Sequence, residues 1–594
     1  MTHPLDVDRT SDGYAPLASY AALGDGRTVC LLAADGRIDW LPVPSLDAPP
    51  LFAALLDARR GGTIELRPTA PARSRRRYVP GTNVMETIWH TADGSAVVQD
   101  ALVTGTAGRL PWTQLDRVVR GLSGRVAFDW RVAPGDLLDG AEPTVAAEPG
   151  RKVVRVRDVR LAVATDAEST DAPGEPEFRG ELVVKEDETR VISLTATSGE
   201  PLPLPRVEVG GVERTIRAWR EWSSAHRFDG PHEAITTRSA LALKLLIHSP
   251  TGAIAAAATT SLPEDPAGGK NWDYRFAWTR DLAFTVRALV RFGLTEETHA
   301  AMRWMLDTIE SQGGEMPIFF TLDGRVSDDV RASSAPGWRG IGPVLVGNRA
   351  ANQRQLGVYG NLLTIAREYV AAGHVLDDRA RALLTRVGDL AARGWHRRDS
   401  GIWELQKARH YVTSKFGCWQ ALDSCIWLAE RGHLHGNLRR WRRERAKVAA
   451  WIMRRGWNPR VGAYTMHPGS TDLDASVLLF VGVGFPDTER LAGSVDEIAR
   501  RLSAGAHLYR YSGMNREEEP FVACGFWLVS ALTRLGRQDE AEQLFERLAA
   551  TSNDVGLFSE MVSPTGELWG NAVQALSHLA LINAAIDLDE TRER

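Results

Sequence analysis

Asn271-Trp-Asp-Tyr-Arg-Phe-Ala-Trp-Thr-Arg-Asp281 runs directly into an apolar series, Leu282, Val286, Leu289 and Phe292, that closes on Gly293. Spacings of three and four place those side chains on one stripe of a helix, with Asp281 as the expected N-cap and Gly293 just past its end. The design returns at Phe416, Trp419, Leu422, Ile426 and Gly432, and again at Phe521, Cys524, Leu528, Leu532 and Gly536. After each closing glycine comes a loop rich in Trp, Gly and acids. Helix pairs alternating with such loops predict an all-α barrel or solenoid, and the lack of a strict repeat period argues against a simple solenoid. The opening run itself holds two Trp, one Tyr, two Arg and two Asp. Flat aromatic faces beside hydroxyl-binding Arg and Asp suit an uncharged, hydroxyl-rich ligand with apolar ring faces. A buried Arg–Asp ion pair among core aromatics is the competing reading.

Upstream of this helical region the period changes to two. Asn83–Ala101 alternates apolar and polar residues around Ala92-Asp93-Gly94, and Ala34-Asp35-Gly36 punctuates an earlier pair of short runs. Lys152–Ala164 and Glu181–Thr195 repeat the pattern until Pro201–Pro205 interrupts it, and Val212–Ala225, with Trp219 and Trp222, reads as a helical connector. Many short strands without intervening helices predict an antiparallel β-sandwich. The expected organisation is therefore multidomain: a sandwich over residues 1–205, a helical linker over 206–233 and an all-α barrel over 234–594.

A chain of 594 residues is too long for one core, and its 71 basic against 75 acidic residues leave −4. The densest basic run, Arg439–Arg445, reads as a solvated helix face, so no nucleic-acid partner is expected. Four scattered cysteines, with no Cys-x-x-Cys pair, indicate neither a zinc site nor a disulfide framework. The first residues lack a charged segment followed by an apolar run, and no spanning segment is visible, so a cytoplasmic location without membrane attachment is expected. Oligomeric state is left open.

No Walker motif, His-Glu-x-x-His or Gly-x-Ser-x-Gly is present, and Gly482-Val-Gly484 lacks the third glycine of a dinucleotide fingerprint. Hydride transfer and phosphate-cradling chemistry have no support. Two loop carboxylates beside aromatics remain. Glu404 follows Trp403, whose indole would partly desolvate it, raise its pKa and hold it protonated as a general acid. Glu560 lies in Leu557-Phe-Ser-Glu560-Met, ahead of a Pro564-Thr-Gly566 turn. Either one alone reads equally as a solvated charge or a helix cap.

The ordered set of motifs resembles glycoside hydrolase family 15, the glucoamylase, glucodextranase and trehalase family, in its bacterial or archaeal form. It runs through Leu23-Gly-Asp-Gly-Arg-Thr28, Asp35-Gly-Arg-Ile-Asp-Trp40, Tyr78-Val-Pro-Gly-Thr-Asn83, Thr259-Thr-Ser-Leu-Pro-Glu264, Asn271–Arg275, Trp278–Asp281, Ile402-Trp-Glu404, Leu473-Asp-Ala-Ser476, Tyr509-Arg-Tyr511, Ser559-Glu560, Gln574, Ser577 and His578. The resemblance implies a super-β-sandwich, a helical linker and an (α/α)6 barrel with the site at its loop end. It implies an exo-acting hydrolase that inverts the anomeric carbon and releases β-glucose, with Glu404 as acid, Glu560 as base and Tyr274 near the attacking water. Arg280, Asp281 and Arg510 would grip the terminal glucose, beside Trp278, Trp403 and Trp338, this last as a sugar platform or a loop anchor. No metal or cofactor is implied. The expected partner is a short α-glucoside: trehalose, or a malto- or isomalto-oligosaccharide.

Three residues depart from the family's usual pattern, Leu345 where an arginine is common and Gly357 and Asn361 where acids are common, and Asn515-Arg-Glu-Glu-Glu-Pro520 replaces a Gly-rich loop. They put transfer of leaving-group specificity in doubt and motivate a rival, a non-catalytic sugar-binding or regulatory protein on the same fold. A glucosyltransferase or phosphorylase is the other alternative. Glu518 and Glu519 read either as pocket contacts or, more commonly for such a run, as a solvated helix N-terminus, and His578 as a satisfied structural histidine.

Overall fold

The structure, a computed structural model, describes residues 9–104, 111–148, 151–203, 207–225, 228–313 and 316–592. The expected boundary at 205/206 lies outside them. Between Tyr20 and Ser198 the described residues form fifteen strands, and every pairing between them is antiparallel. The hairpins fall where period two and turn residues predict them. Met85–His90 pairs with Gly94–Leu102, Val29–Ala33 with Ile38–Pro42, and Arg151–Val156 with Val159–Thr165. One 22-residue strand, Thr113–Pro134, joins the two layers. Its first half pairs with Gly94–Leu102 and Thr189–Ser198, its second with Gly62–Pro68 and Phe178–Lys185. Inward-facing Val119, Val126, Phe128 and Trp130 are buried.

The connector is helix α1 (Gly210–Ser224). Eleven further α-helices follow among the described residues: α2 (Glu233–Leu245), α3 (Thr279–Arg291), α4 (Thr295–Ser311), α5 (Val358–Ala371), α6 (Asp378–Gly394), α7 (Val412–Glu430), α8 (Leu438–Trp451), α9 (Thr488–Leu502), α10 (Val522–Arg534), α11 (Gln538–Ala549) and α12 (Ala575–Arg592). An inner ring closes through α3, α5, α7, the short 3-10 helix Ala475–Phe480, α10 and α12, and back to α3. Outside it α4 packs on α3, α6 and α8 on α7, α9 on the 3-10 helix, α11 on α10 and α2 on α12. This is an (α/α)6 barrel, with one inner position taken by the 3-10 helix. Burial sorts the layers. Inner α7 and α10 are buried around almost their whole circumference, whereas outer α9 buries one stripe, Leu491, Val495, Ile498 and Leu502. Helices α5 and α7 approach closely because both carry glycine at the crossing: a Cβ on Gly360 would meet the Gly417 carbonyl oxygen at 2.4 Å. No helix among the described residues is long and apolar enough to cross a membrane.

Two expectations are corrected here. Helix α3 begins at Thr279 with Trp278 as its N-cap, so Asp281 sits in the first turn. There its carboxylate still meets the positive end of the helix dipole. Trp338 is a loop anchor and no sugar platform. Its side chain is fully buried, its indole N–H donates to the Ala15 carbonyl (3.0 Å), and it meets Trp569 edge to face. It belongs to a seam between sandwich and barrel, where Trp40 donates to the Ala258 carbonyl (2.9 Å) and Arg275 Nη1 to the Ala48 carbonyl (2.7 Å). Trp338→Phe removes a buried donor and strands the Ala15 oxygen. It should lower unfolding free energy by about 1–3 kcal/mol in a denaturant titration and leave KM for a glucoside unchanged; a raised KM with unaltered stability would restore the platform role.

Candidate active site

Five loops converge at one end of the barrel, each leading into the N-terminus of an inner element: residues 264–278 before α3, 348–353 before α5, 402–406 before α7, 510–521 before α10 and 560–574 before α12. Together they wall a cavity of about 430 Å³. The helix N-termini beneath it favour negative charge, which suits a site built on carboxylates. Tyr274, Arg280, Asp281, Trp403, Glu404, Arg510 and Glu560 all line it.

Glu404 sits in the left-handed region at φ 59°, uncommon for a residue other than glycine and typical of strain kept at functional sites. The side chain of Gln353 holds that conformation by donating to the Glu404 carbonyl oxygen (2.9 Å). At the carboxylate, Oε1 accepts from the Trp278 indole (3.0 Å) and from Arg280 Nη1 (3.4 Å). Arg280 is itself fixed by Asp281 (2.7 Å) and by the Ile402 carbonyl (2.7 Å). Burial raises the Glu404 pKa, Arg280 pulls it back and Asp281 pushes it up again; the net shift is upward. A carboxyl held above its usual range is suited to donate a proton. The neighbouring Trp403 turns its ring to the cavity and is anchored through its indole N–H to Asp474 (2.8 Å), the same carboxylate that caps the inner 3-10 helix.

Glu560 lies on the other wall and is almost wholly buried. Its Oε2 accepts from the Asn571 amide (3.3 Å), and Gly570 packs so close that a Cβ there would stand 2.8 Å from that oxygen. Burial first, then the charge of Glu264, hold the Glu560 pKa well above the ordinary carboxylate range, against the pull of Arg510. Such a carboxylate is a stronger base than an exposed one. Tyr274 stands between the two walls, its phenol donating to Glu264 Oε1 (3.3 Å) and its ring edge-on to Trp278.

Of the substrate-binding residues expected from the sequence, Trp278 and Trp338 are not on the cavity wall. Trp278 is fully buried, stacked on Phe319, and serves as a hydrogen-bond donor to Glu404 from behind. Glu518, expected to be solvated, is inaccessible and paired with Arg510 and Lys270. His578 is buried with both ring nitrogens bonded, to the Phe558 amide and Ser239. Residues not singled out beforehand complete the wall. The side-chain oxygens of Gln353 and Gln574, two residues of the wall, are buried without a partner among the described residues. The three departures lie elsewhere. Leu345 is buried with its backbone held by Thr260 and Ser261, and Gly357 and Asn361 line a smaller cavity, about 90 Å³, along the barrel interior. No group of three or more metal-ligating side chains occurs among the described residues.

The model of the family described as "Glycosyl hydrolases family 15" matches residues 230–586, and that of "Trehalase-like, N-terminal" matches residues 11–156. The chain belongs to glycosyl hydrolase family 15. It is a glycoside hydrolase. A trehalase of Mycobacterium tuberculosis is 34% identical, covering 98% of this chain and 90% of its own length, and one of Mycolicibacterium smegmatis is 33% identical over 98% and 92%. Among solved structures, a bacterial glucoamylase complexed with acarbose superposes with a TM-score of 0.70 at 12% identity, covering 100% of this chain and 96% of that one, a likeness of fold.

The Trp278 N–H stabilises the charged form of Glu404, so its loss must raise the pKa of that carboxyl. A carboxyl can give up a proton only while protonated, so in a reaction that draws its proton from Glu404 the alkaline limb of the kcat/KM profile should move to higher pH. A hydrogen bond worth about 0.5–1.5 kcal/mol corresponds to roughly 0.4–1 pH unit. We expect Trp278→Phe to show that displacement; an unmoved limb in a folded variant would sever Trp278 from the chemistry.

Proposed function

We propose that this family 15 enzyme is an inverting, exo-acting trehalase. The observation that carries the reading is a pair of unlike carboxylates, Glu404 and Glu560, on opposite walls of one cavity, in a chain similar over its whole length to trehalases. Glu404 protonates the glycosidic oxygen, and Glu560 takes a proton from a water that attacks the anomeric carbon from the other face. Arg280 and Asp281 grip the hydroxyls of the glucose being transferred, Trp403 offers its ring to the sugar face, Arg510 binds the same ring and Tyr274 stays near the water. Residues 234–594 carry this chemistry, with the sandwich of 1–205 and the connector of 206–233 supporting the loops. The departures at Leu345, Gly357 and Asn361 lie off the cavity wall, which removes the motive for a non-catalytic reading.

Two measurements test it. Hydrolysis of α,α-trehalose with inversion at one carbon frees equal amounts of β- and α-glucose, because the leaving sugar keeps its configuration. Retention would free α-glucose alone. NMR before mutarotation separates the two, and α-glucose alone refutes inversion. Glu404→Gln should lose about 10²–10⁴-fold on trehalose and much less on α-glucosyl fluoride, whose leaving group needs no proton. Glu560→Gln should lose activity on both. Equal rescue of the two variants would overturn the assignment of acid and base.

A further inference from the structure

A third carboxylate stands beside the proposed pair. Glu264 directly follows the short strand Thr260–Pro263, and its side chain has no accessible surface. Its Oε2 accepts from Arg510 Nη2 (2.8 Å) and its Oε1 from the Tyr274 phenol (3.3 Å). Arg510 is shared with Glu518, to which its Nε donates at 2.6 Å and its Nη2 as well. Lys270 Nζ closes the set, 3.0 Å from Glu518 and 3.1 Å from Glu517 at the cavity edge. The buried part of this wall holds three carboxyl groups, Glu264, Glu518 and Glu560, against two cations, Arg510 and Lys270. Because Lys270 is also shared with the half-exposed Glu517, at least one buried carboxyl is left without a matching charge, and removing it from water makes its ionisation costly.

We propose that Glu264 is a positioning residue for hydrolysis: it fixes the Tyr274 phenol and the Arg510 guanidinium, and it sets the pH at which Glu560 becomes free to act as base. The inference rests on the reading of Glu560 as that base. Glu518 is held below its ordinary range, despite its burial, by its bonds and attraction to Arg510 and Lys270, so it stays charged. The surplus proton therefore belongs to Glu264 and Glu560. Burial pushes Glu264 up to about 7, with Arg510 opposing and Glu518 adding to the rise, while burial and Glu264 push Glu560 up in turn. Two carboxyls that repel each other titrate as a pair, and while the pair holds a single proton the base is ready only in the fraction of molecules where that proton sits on Glu264. Tyr274, whose own ionisation burial and the charges of Glu264, Glu560 and Glu404 suppress, keeps its hydrogen and donates it to Glu264.

The sign follows. Neutralising Glu264 removes both the competitor for the proton and the negative charge that disfavours ionised Glu560. The acidic limb of kcat/KM should then move to lower pH, by about one unit, in Glu264→Gln. Glu264→Asp keeps the charge and should leave the limb in place while kcat/KM falls about tenfold through displacement of Tyr274 and Arg510. Both profiles would be measured on trehalose with full-length protein whose near-ultraviolet circular dichroism matches wild type. A limb unmoved in Glu264→Gln, or moved equally in both variants, overturns the proposal. Should either variant fail to fold, or wild type turn over no glucoside, a direct titration decides. The carbon-13 carboxyl resonance of Glu560 in wild type, assigned by its loss in Glu560→Gln, should show two titration steps if Glu264 is its proton partner, and a single ordinary step refutes it. Failure of the trehalase reading is thereby told apart from failure of the role of Glu264.

Discussion

Arg510 is the charge around which the cavity is assembled. Its guanidinium bonds to Glu264 and Glu518, two carboxylates with no accessible surface, and lies 5.7 Å from the centroid of Trp403 and 5.5 Å from that of Phe521. Breaking a buried ion pair on one side costs about 3–5 kcal/mol, since the abandoned charge has no solvent to turn to. Loops from three distant parts of the chain, ending at Glu264, Glu518 and Trp403, are therefore tied to one side chain. Lys270 strengthens the same knot from the first of them. On the opposite wall Arg280 does comparable work, binding Asp281, the Ile402 carbonyl and Glu404 at once.

Because each wall has its own cation, the two carboxylates proposed for the reaction are placed in unlike surroundings. Glu404 keeps 18% of its side chain exposed and has two donors on one oxygen, leaving the other free towards the cavity. Glu560 is dry, touched by a backbone amide and hemmed by Gly570, with anionic neighbours. Each is raised, for different reasons: the first by burial partly offset by a guanidinium, the second by burial reinforced by Glu264. Two carboxyl groups with separately tuned environments are what allow one to hold a proton and the other to seek one at the same pH.

Much of this was legible in the chain. Period two located the hairpins around Ala92-Asp93-Gly94 and Ala34-Asp35-Gly36, and the stripes ending at Gly293, Gly432 and Gly536 marked the inner helices α3, α7 and α10. The inner 3-10 helix Ala475–Phe480 was invisible because six residues carry no periodicity to read. Composition marked Asn271–Asp281 as suited either to a hydroxyl-rich ligand or to a buried ion pair, yet it could not say which aromatic faces the cavity. Trp278 and Trp403 are equally plausible in sequence; the strand Ala277–Trp278, pinned to Phe319–Phe320, turns the first inward. Glu264 and Asp474 stood inside recognised motifs without an evident role, since a carboxylate acting through a partner is defined by that partner, here Arg510 or Trp403, hundreds or tens of residues away. Glu518 was misread for the same reason: an acidic run beside proline looks solvated until Arg510 and Lys270 are found above it.

The sandwich has a physical bearing on the site although none of its described residues lines the cavity. Tyr274 lies between Asp273 and Arg275, which form a buried ion pair at 2.8 Å. That pair is completed from the other domain, where the Ala48 carbonyl accepts from Arg275 and the Trp40 ring lies 5.9 Å from its guanidinium carbon. Trp40 also reaches the Ala258 carbonyl, on the segment that leads to Glu264. A guanidinium buried this completely needs each of its donors matched. The position of Tyr274 between the two walls thus depends on a carbonyl supplied more than two hundred residues earlier, and the aromatic loop at the barrel mouth is held from both sides, by Glu404 and Glu264 within the site and by the sandwich behind it.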